Sequence, residues 1–156
     1  MAEPQTVYPI FLNQIEGALA VVVGGGIVGE RKVRGLLAAG ARIRVISPTA
    51  TPALVHLAGV GQIEWLPRAY QAGDLAGALL AFAATNQRAV NAQVTYDARA
   101  ARILCNVADA PREGDFHAPA VHRAEGYTIA VGTGGRSPGL ARALRDRIAE
   151  WLADAG

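Results

Sequence analysis

A glycine-rich turn between an apolar strand and an amphipathic helix constrains the fold of this chain most strongly. Residues 24–29 read Gly-Gly-Gly-Ile-Val-Gly, which matches G-x-G-x-x-G, and they follow the apolar run 19–23 directly. In that setting Gly24 permits a tight turn, Gly26 lets the backbone approach a pyrophosphate, and Gly29 lets the helix pack closely on the strand. The free N–H groups at the start of the helix favour phosphate. The sequence therefore predicts a dinucleotide site of the Rossmann type.

Short apolar runs and helical stretches alternate along the first two thirds of the chain. Further apolar runs suited to buried strands lie at residues 43–46, 63–66, 79–83 and 103–107. Helices are expected over residues 26–39 and 86–101, and Asn86 is a good N-cap for the second. Strands that alternate with helices form βαβ units around a parallel sheet. The predicted class is α/β, with a Rossmann-like doubly wound parallel sheet.

The pattern changes near residue 112. Residues 117–122 and 127–131 look like two strands, and the short link between them, residues 123–126, requires an antiparallel pair. A helix is expected from Gly139 to about Ala153. We therefore predict a nucleotide-binding body over residues 1–112 and a small α+β unit over residues 113–156.

Composition narrows the class of protein. The single cysteine, Cys105, rules out a disulfide within the chain and suits a reducing compartment. We find neither a signal peptide nor an apolar stretch long enough to span a membrane, so a cytoplasmic protein is expected. A net charge of +2 is too small to imply nucleic acid. The charged fraction of 18% is low, which suggests that a partner subunit covers part of the surface.

The choice between NAD and NADP stays open on the residues. An acid that grips the adenine ribose is expected after the second strand, but the chain has Ser47, Pro48 and Thr49 there. A hydroxyl of Ser47 or Thr49 could hold either form of the ribose. Arg42 and Arg44 could even favour a 2′-phosphate.

Polar residues follow the fourth and fifth strands, where ligands of doubly wound sheets lie. Thr85 and Asn86 suit contact with the nicotinamide ribose, although a plain helix cap explains Asn86 equally well. Asp109 is placed to take the proton that must leave when a hydride goes to the cofactor. The alternative is that Asp109 caps a turn before Pro111.

The end of the chain is rich in arginine. Arginine binds carboxylates through two parallel hydrogen bonds, so such a cluster suits a polyanionic ligand, but a solvated helix face is an equal alternative. Its members are Arg123, Arg136, Arg142, Arg145 and Arg147. The three histidines show no tight ligand spacing, since His117 and His122 are five apart on a predicted strand and face opposite ways. No dedicated metal site is predicted.

These motifs stand in one order along nearly the whole chain. They comprise Tyr-Pro-Ile-Phe-Leu-Asn at 8–13, the glycine segment at 22–37, Val-Ile-Ser-Pro at 45–48, Ala-Thr-Asn at 84–86, Asn-Val-Ala-Asp at 106–109 and Thr-Gly-Gly-Arg-Ser-Pro-Gly-Leu-Ala at 133–141. The set resembles the precorrin-2 dehydrogenase family, including the corresponding module of siroheme synthases.

The resemblance implies a specific activity. Members of the family use NAD⁺ to remove hydrogen from the macrocycle of precorrin-2, which gives sirohydrochlorin, and some also insert ferrous iron. By this resemblance Asp109 is the catalytic residue, Thr133 lies near the tetrapyrrole, and residues 113–150 form a homodimer. Where family members often carry a second acid after that aspartate, this chain has Ala110.

The expected site residues follow from the motifs and the resemblance together. The cofactor is expected to contact Gly24, Gly25, Gly26, Ile27, Val28, Ser47, Pro48, Thr85, Asn86 and Val107. The substrate is expected to contact Asn106, Thr133, Gly134, Arg136 and Ser137. Two other functions stay open: a bifunctional dehydrogenase and ferrochelatase, and a module that binds NAD or a tetrapyrrole without catalysis.

Overall fold

The computed structural model describes residues 7–154, which form four α-helices and seven strands. In chain order they are β1 (Leu19–Val23), α1 (Ile27–Leu37), β2 (Arg42–Ile46), α2 (Pro52–Gly59), β3 (Glu64–Leu66), β4 (Leu80–Ala83), α3 (Arg88–Ala100), β5 (Leu104–Val107), β6 (Ala120–Ala124), β7 (Tyr127–Val131) and α4 (Pro138–Asp154). A short 3₁₀ turn, Pro111–Glu113, lies between β5 and β6.

Strands β1 to β5 form one parallel sheet in the order β3-β2-β1-β4-β5. All five residues of β1 are buried because apolar side chains leave both of its faces. Val33 of α1 and Leu54 of α2 pack over one face of the sheet. Val94 and Ala98 of α3 pack over the other. The predicted Rossmann-like, doubly wound parallel sheet is therefore confirmed.

The local sequence explains where helix α2 begins, although the apolar pattern did not predict this helix. The hydroxyl of Thr51 accepts a hydrogen bond from the backbone N–H of Leu54 at 3.3 Å, as an N-cap does. Pro52 occupies the first turn, where the proline ring fits and its missing N–H is not needed. The pair Thr51 and Pro52 was therefore the sequence feature that could have predicted the start of α2.

Strands β6 and β7 form a separate antiparallel pair, as predicted. The turn between them consists of only Glu125 and Gly126, and Gly126 has a φ of 83° that favours glycine. The first strand was predicted too early in the chain, so His117 precedes it and the argument about opposite strand faces does not apply. Helix α4 packs on this pair, with Ala141 buried at the contact.

The described residues divide into two compact units. The nucleotide unit is residues 11–116, and the C-terminal unit is residues 117–154 together with residues 7–10. The division falls after Phe116 rather than near residue 112 because the intervening segment lies along the outer edge of β5. Asp115 donates its backbone N–H to the Cys105 carbonyl at 2.7 Å, and its carboxylate accepts the Cys105 N–H at 2.9 Å.

Within residues 7–154, none of the helices is long and apolar enough to cross a bilayer.

Replacing Asp115 with alanine should lower the free energy of unfolding by about 1–2 kcal/mol, because the N–H of buried Cys105 loses its acceptor. Denaturant titration followed by circular dichroism measures the change. Glu125→Ala, in the exposed turn between β6 and β7, is the matched control and should stay within about 0.5 kcal/mol of the wild type. Equal stability of the two variants would contradict the role given to Asp115.

Candidate functional site

The strand order reverses between β1 and β4, and their carboxyl ends define the crevice where doubly wound sheets bind ligands. The backbone ladder continues past the strands at this edge. Gly24 donates its N–H to the Ile46 carbonyl at 2.9 Å, and Ala84 donates to Val23 at 2.8 Å. Ala108 donates to Ala83 at 2.9 Å. The loops that follow the strands therefore start from fixed positions.

Three glycines of the loop are required by close backbone contacts inside the protein. A Cβ at Gly24 would lie 2.3 Å from the Ala84 carbonyl oxygen, and Gly24 also has a φ of 123°. A Cβ at Gly25 would lie 2.2 Å from the Thr49 carbonyl oxygen, and one at Gly29 would lie 2.0 Å from that of Gly24. Larger residues at these positions would force the backbone segments apart.

At position 26, no contact inside the protein requires a glycine. A Cβ at this position would meet nothing within 4 Å, and its φ of −81° is open to any residue. Gly26 is the N-cap of α1, and no side chain caps that end of the helix. The next two residues, Ile27 and Val28, are exposed, Ile27 at 81%. The remaining physical reason for glycine is the close approach of a ligand to the uncapped N–H groups.

The loop after β2 is bonded to the glycine loop. Thr51 donates its N–H to the Gly25 carbonyl at 2.9 Å. The hydroxyl of Thr51, and to a lesser degree the guanidinium of Arg34, hold the pKa of Glu30 below its usual value. Ser47, half-buried, accepts a hydrogen bond from the Trp65 indole at 3.0 Å through its carbonyl. The Ser47 backbone is thereby fixed, and its Cβ would lie 3.0 Å from a Cβ at Gly25, with Pro48 and Thr49 exposed after it.

Arg42 and Arg44 lie within β2, at its first and third residues, and not in the loop at its carboxyl end. Arg42 pairs with Leu19 at the first residue of β1, and Arg44 stands at the middle of its strand. The guanidinium of Arg44 donates to the carboxylate of Glu64 at 2.7 Å. The choice between NAD and NADP therefore stays a prediction, and neither arginine stands in the loop that follows β2.

Asn91, fully buried in α3, fixes the turn that contains Thr85, and sequence reasoning missed it. Its amide oxygen accepts from the Thr85 N–H at 3.1 Å and from the Thr85 hydroxyl at 2.7 Å, and its amide nitrogen donates to the Thr85 carbonyl at 3.0 Å. The sequence feature that could have revealed Asn91 was its position as a polar residue on the apolar face of an amphipathic helix.

Asn86 is not the N-cap of α3. The cap position is Gln87, with no side-chain cap bond, and Gln87 donates its own N–H to the Thr85 hydroxyl at 3.1 Å. The helix begins at Arg88, two residues later than predicted. Asn86 is exposed at the carboxyl edge of β4, which leaves its side chain available to a ligand.

Asp109 lies at the same edge, directly after β5. Its carboxylate does not cap the following turn, because the 3₁₀ turn has Ala110 at its cap and no side-chain bond there. Instead its Oδ1 lies 3.5 Å from the guanidinium of Arg88, and the side chain of Asp109 is 36% exposed. The carboxylate is therefore accessible and faces a cation of helix α3, which precedes β5 in the chain.

Asn106 and Val107 are buried in β5, on opposite faces of the sheet. Val107 is fully buried against α3, so its side chain belongs to the core. Asn106 donates from its amide to the Phe116 carbonyl at 2.8 Å, while its amide oxygen is buried without a hydrogen-bond partner among the described residues. Both side chains therefore support the carboxyl edge of the sheet from inside the protein. Cys105, between α3 and the sheet, is also buried, and burial raises the pKa of its thiol.

The predicted substrate residues of the C-terminal unit form one turn before α4. The Thr133 hydroxyl accepts the Ser137 N–H and donates to the Ser137 carbonyl, both at 3.0 Å. The Ser137 hydroxyl caps the helix by accepting the Leu140 N–H at 3.3 Å. Gly134 has a φ of 62°, and Arg136 is exposed beside it. These residues thus build the turn whether or not a ligand binds there.

The arginines of this unit differ in their partners. Arg145 pairs with its neighbour Asp146 at 2.6 Å. Arg123, Arg136, Arg142 and Arg147 are exposed, and within the described part of the chain none of them forms a salt bridge. Among residues 7–154, no group of three histidine, cysteine or acidic side chains gathers at a point where it could hold a metal ion.

The parallel sheet, the glycine loop and the crevice between β1 and β4 define a dinucleotide-binding protein of the Rossmann class. The chain belongs to the family described as putative NAD(P)-binding, whose model matches residues 11–120. A nicotinamide dinucleotide is therefore the class of cofactor that this fold binds.

Known relatives agree with this membership and with the resemblance found in the sequence. The chain is 41% identical over 144 residues to siroheme synthase 3 of Aeromonas hydrophila subsp. hydrophila, and 42% identical over 144 residues to the siroheme synthase of Pseudomonas aeruginosa. Each alignment covers 92% of this chain, but the chain spans only 31% of the length of these curated relatives. A solved structure named SirC, precorrin-2 dehydrogenase, superposes with a TM-score of 0.74 at 29% identity. That match covers 96% of this chain and 71% of SirC.

Gly26→Ala should leave the fold intact and weaken NAD⁺ binding about tenfold or more, because the new Cβ occupies the space that a pyrophosphate needs. The matched control is Gly29→Ala, whose Cβ collides with the Gly24 carbonyl and should lower the unfolding midpoint. Calorimetric titration with NAD⁺ and thermal denaturation separate the two effects. A Gly26→Ala protein that binds NAD⁺ as tightly as the wild type would contradict the assignment.

Proposed function

We propose that the protein oxidises precorrin-2 to sirohydrochlorin with NAD⁺ as the oxidant. The observation that carries the dinucleotide part is Gly26, a glycine that neither packing nor φ requires at an uncapped helix start. The similarity to siroheme synthases and to the precorrin-2 dehydrogenase SirC supports the choice of substrate. The reaction balances as precorrin-2 plus NAD⁺ giving sirohydrochlorin, NADH and one proton.

The preference for NAD⁺ over NADP⁺ is supported by the charge at the carboxyl end of β2. Ser47, Pro48 and Thr49 follow this strand, and none carries a charge. A 2′-phosphate at this position would find no arginine in the loop to replace its water. A free 2′-hydroxyl needs only a hydrogen-bond partner, which a Ser47 or Thr49 hydroxyl supplies.

Asp109 is proposed as the group that receives the proton. Oxidation of the macrocycle removes two hydrogens, one as hydride and one as proton, and the bound nicotinamide supplies the hydride acceptor. Among the residues we have placed at the carboxyl edge, Asp109 offers an exposed carboxylate. Asn86 and Thr85, on the neighbouring turn, are proposed to orient the nicotinamide ribose, with Asn91 holding that turn from behind.

The C-terminal unit is proposed to bind the carboxylates of the tetrapyrrole. Arg136 lies in the turn before α4, and Arg123, Arg142 and Arg147 offer further guanidinium groups in the same unit. Arginine suits this role because its planar fork matches a carboxylate with two hydrogen bonds. Thr133 and Ser137 then act mainly by shaping the turn that carries Arg136.

Purified protein mixed with precorrin-2 and NAD⁺ should produce NADH, seen as rising absorbance, and NADP⁺ should support a slower rate. Asp109→Asn should lower kcat about 100-fold or more, since a general base contributes that much, while the affinity for NAD⁺ stays unchanged. Asp115→Asn, on the neighbouring segment, is the control and should retain turnover.

Absence of NADH formation in a protein that binds NAD⁺ tightly would refute the proposed oxidation and favour a module that binds without catalysis. A faster rate with NADP⁺ would refute only the cofactor preference. Unchanged turnover by Asp109→Asn would remove this carboxylate from the chemistry.

We also propose that the protein is a homodimer and that α4 forms the interface. Four apolar side chains lie along one exposed face of this helix at spacings of four, four and three residues. They are Leu140, Leu144, Ile148 and Trp151, with exposed fractions of 52%, 38%, 38% and 67%. A continuous apolar stripe of this kind marks an interaction surface. The second copy is proposed as the occupant because the resembled family dimerises through this region.

Leu144→Glu should convert the dimer into a monomer, because it places a charge at the centre of the stripe. Light scattering coupled to gel filtration measures the mass of the particle in solution. Ala143→Glu adds the same charge on the same helix but outside the stripe, so this variant should remain dimeric. A wild-type protein of single-chain mass would refute the dimer.

A further inference from the structure

We propose that Arg88 is a positioning residue that orients the carboxylate of Asp109 toward the substrate. The proposal rests on the proposed catalytic role of Asp109. It concerns how one side chain at the start of α3 holds the aspartate that follows β5.

The geometry places Arg88 between two acids of one segment. One terminal nitrogen of its guanidinium lies 3.5 Å from Oδ1 of Asp109. The other terminal nitrogen pairs with the carboxylate of Glu113 in the 3₁₀ turn. Because the guanidinium is planar and rigid, the pair with Glu113 fixes the direction in which the first nitrogen points.

A second arginine of α3 holds the same turn at another atom. Arg99, in the last turn of the helix, donates to the backbone carbonyl of Glu113 at 3.2 Å. Helix α3 therefore grips the 3₁₀ turn at two points, and only the contact of Arg88 extends to Asp109. This difference makes Arg99 a matched control.

Stability does not explain why an arginine stands at this position. The side chains of Arg88, Asp109 and Glu113 are 48%, 36% and 50% exposed, and such pairs contribute little to stability. A cation in the first turn of a helix also opposes the helix dipole, and α3 has neither an acid in that turn nor a side-chain cap. A role in the site explains why an arginine stands in the first turn of α3, where the helix dipole disfavours a cation.

The contact with Arg88 affects the direction in which the carboxylate of Asp109 points. Oδ1 of Asp109 faces Arg88 in an ion pair at 3.5 Å, and the other oxygen forms no ion pair with an arginine within residues 7–154. An ion pair at one oxygen of an aspartate favours orientations in which the other oxygen faces away from the cation, and this arrangement favours proton transfer from a bound substrate. Lysine, a single point charge on a flexible stem, cannot bridge both acids in the same way.

The test compares Arg88→Gln, Arg88→Lys and Arg99→Gln in the intact protein, with precorrin-2 and NAD⁺ as substrates. Arg88→Gln should lower kcat about tenfold to a hundredfold, with the KM for NAD⁺ and the unfolding midpoint unchanged. Arg88→Lys should recover part of this loss, and Arg99→Gln should stay within about twofold of the wild type.

Single-turnover measurement of the double variant completes the test. If Arg88 acts through Asp109, Arg88→Gln should have no further effect once Asp109→Asn is present. An equal loss in both backgrounds, or a loss carried by the KM for NAD⁺, would overturn the positioning role. An active wild type with an equally active Arg88→Gln variant would overturn this proposal alone. A wild type without turnover would overturn the proposed function and this role with it.

Discussion

The close approach of three backbone segments at the glycine loop is the contact on which the site depends. Gly24 touches the loop after β4, Gly25 touches the loop after β2, and Gly29 seats α1 against Gly24 itself. Each contact leaves no room for a Cβ. The loops that carry Ser47 and Thr85 therefore keep fixed positions relative to the start of α1. Because these three glycines have no Cβ, the backbone segments come close together and give the crevice a defined width.

Polar groups behind the crevice keep its edge rigid. Asn91 satisfies both backbone groups of Thr85 from inside the core, and Asp115 pairs with the exposed edge of β5. Neither residue is proposed to touch a ligand. The groups that remain available to a ligand lie at the surface of the crevice, and they are chiefly Gly26 and Asp109. The proposed chemistry therefore requires little movement of the backbone in the nucleotide unit.

The sequence predicted the features that depend on local pattern. Buried strands appear as apolar runs and the glycine loop as a spaced motif, so the parallel sheet and the dinucleotide loop could be inferred. The sequence did not reveal features that depend on pairing between elements. The start of α3 was misplaced because Gln87, and not Asn86, holds the cap position, with its N–H bound to the Thr85 hydroxyl. The contact between Arg88 and Asp109 depends on how α3 lies against β5, and the spacing of residues does not encode it. The positions of Arg42 and Arg44 relative to the carboxyl end of β2 needed the register of that strand.

The central claim is that a dinucleotide lies with its pyrophosphate on the start of α1. A crystal structure of the protein with NAD⁺ tests it most directly. The account predicts pyrophosphate oxygens within about 3 Å of the backbone N–H groups that follow Gly26, and the nicotinamide on the side of β4 and β5. A dinucleotide bound elsewhere, with the space over Gly26 left to solvent, would contradict the account.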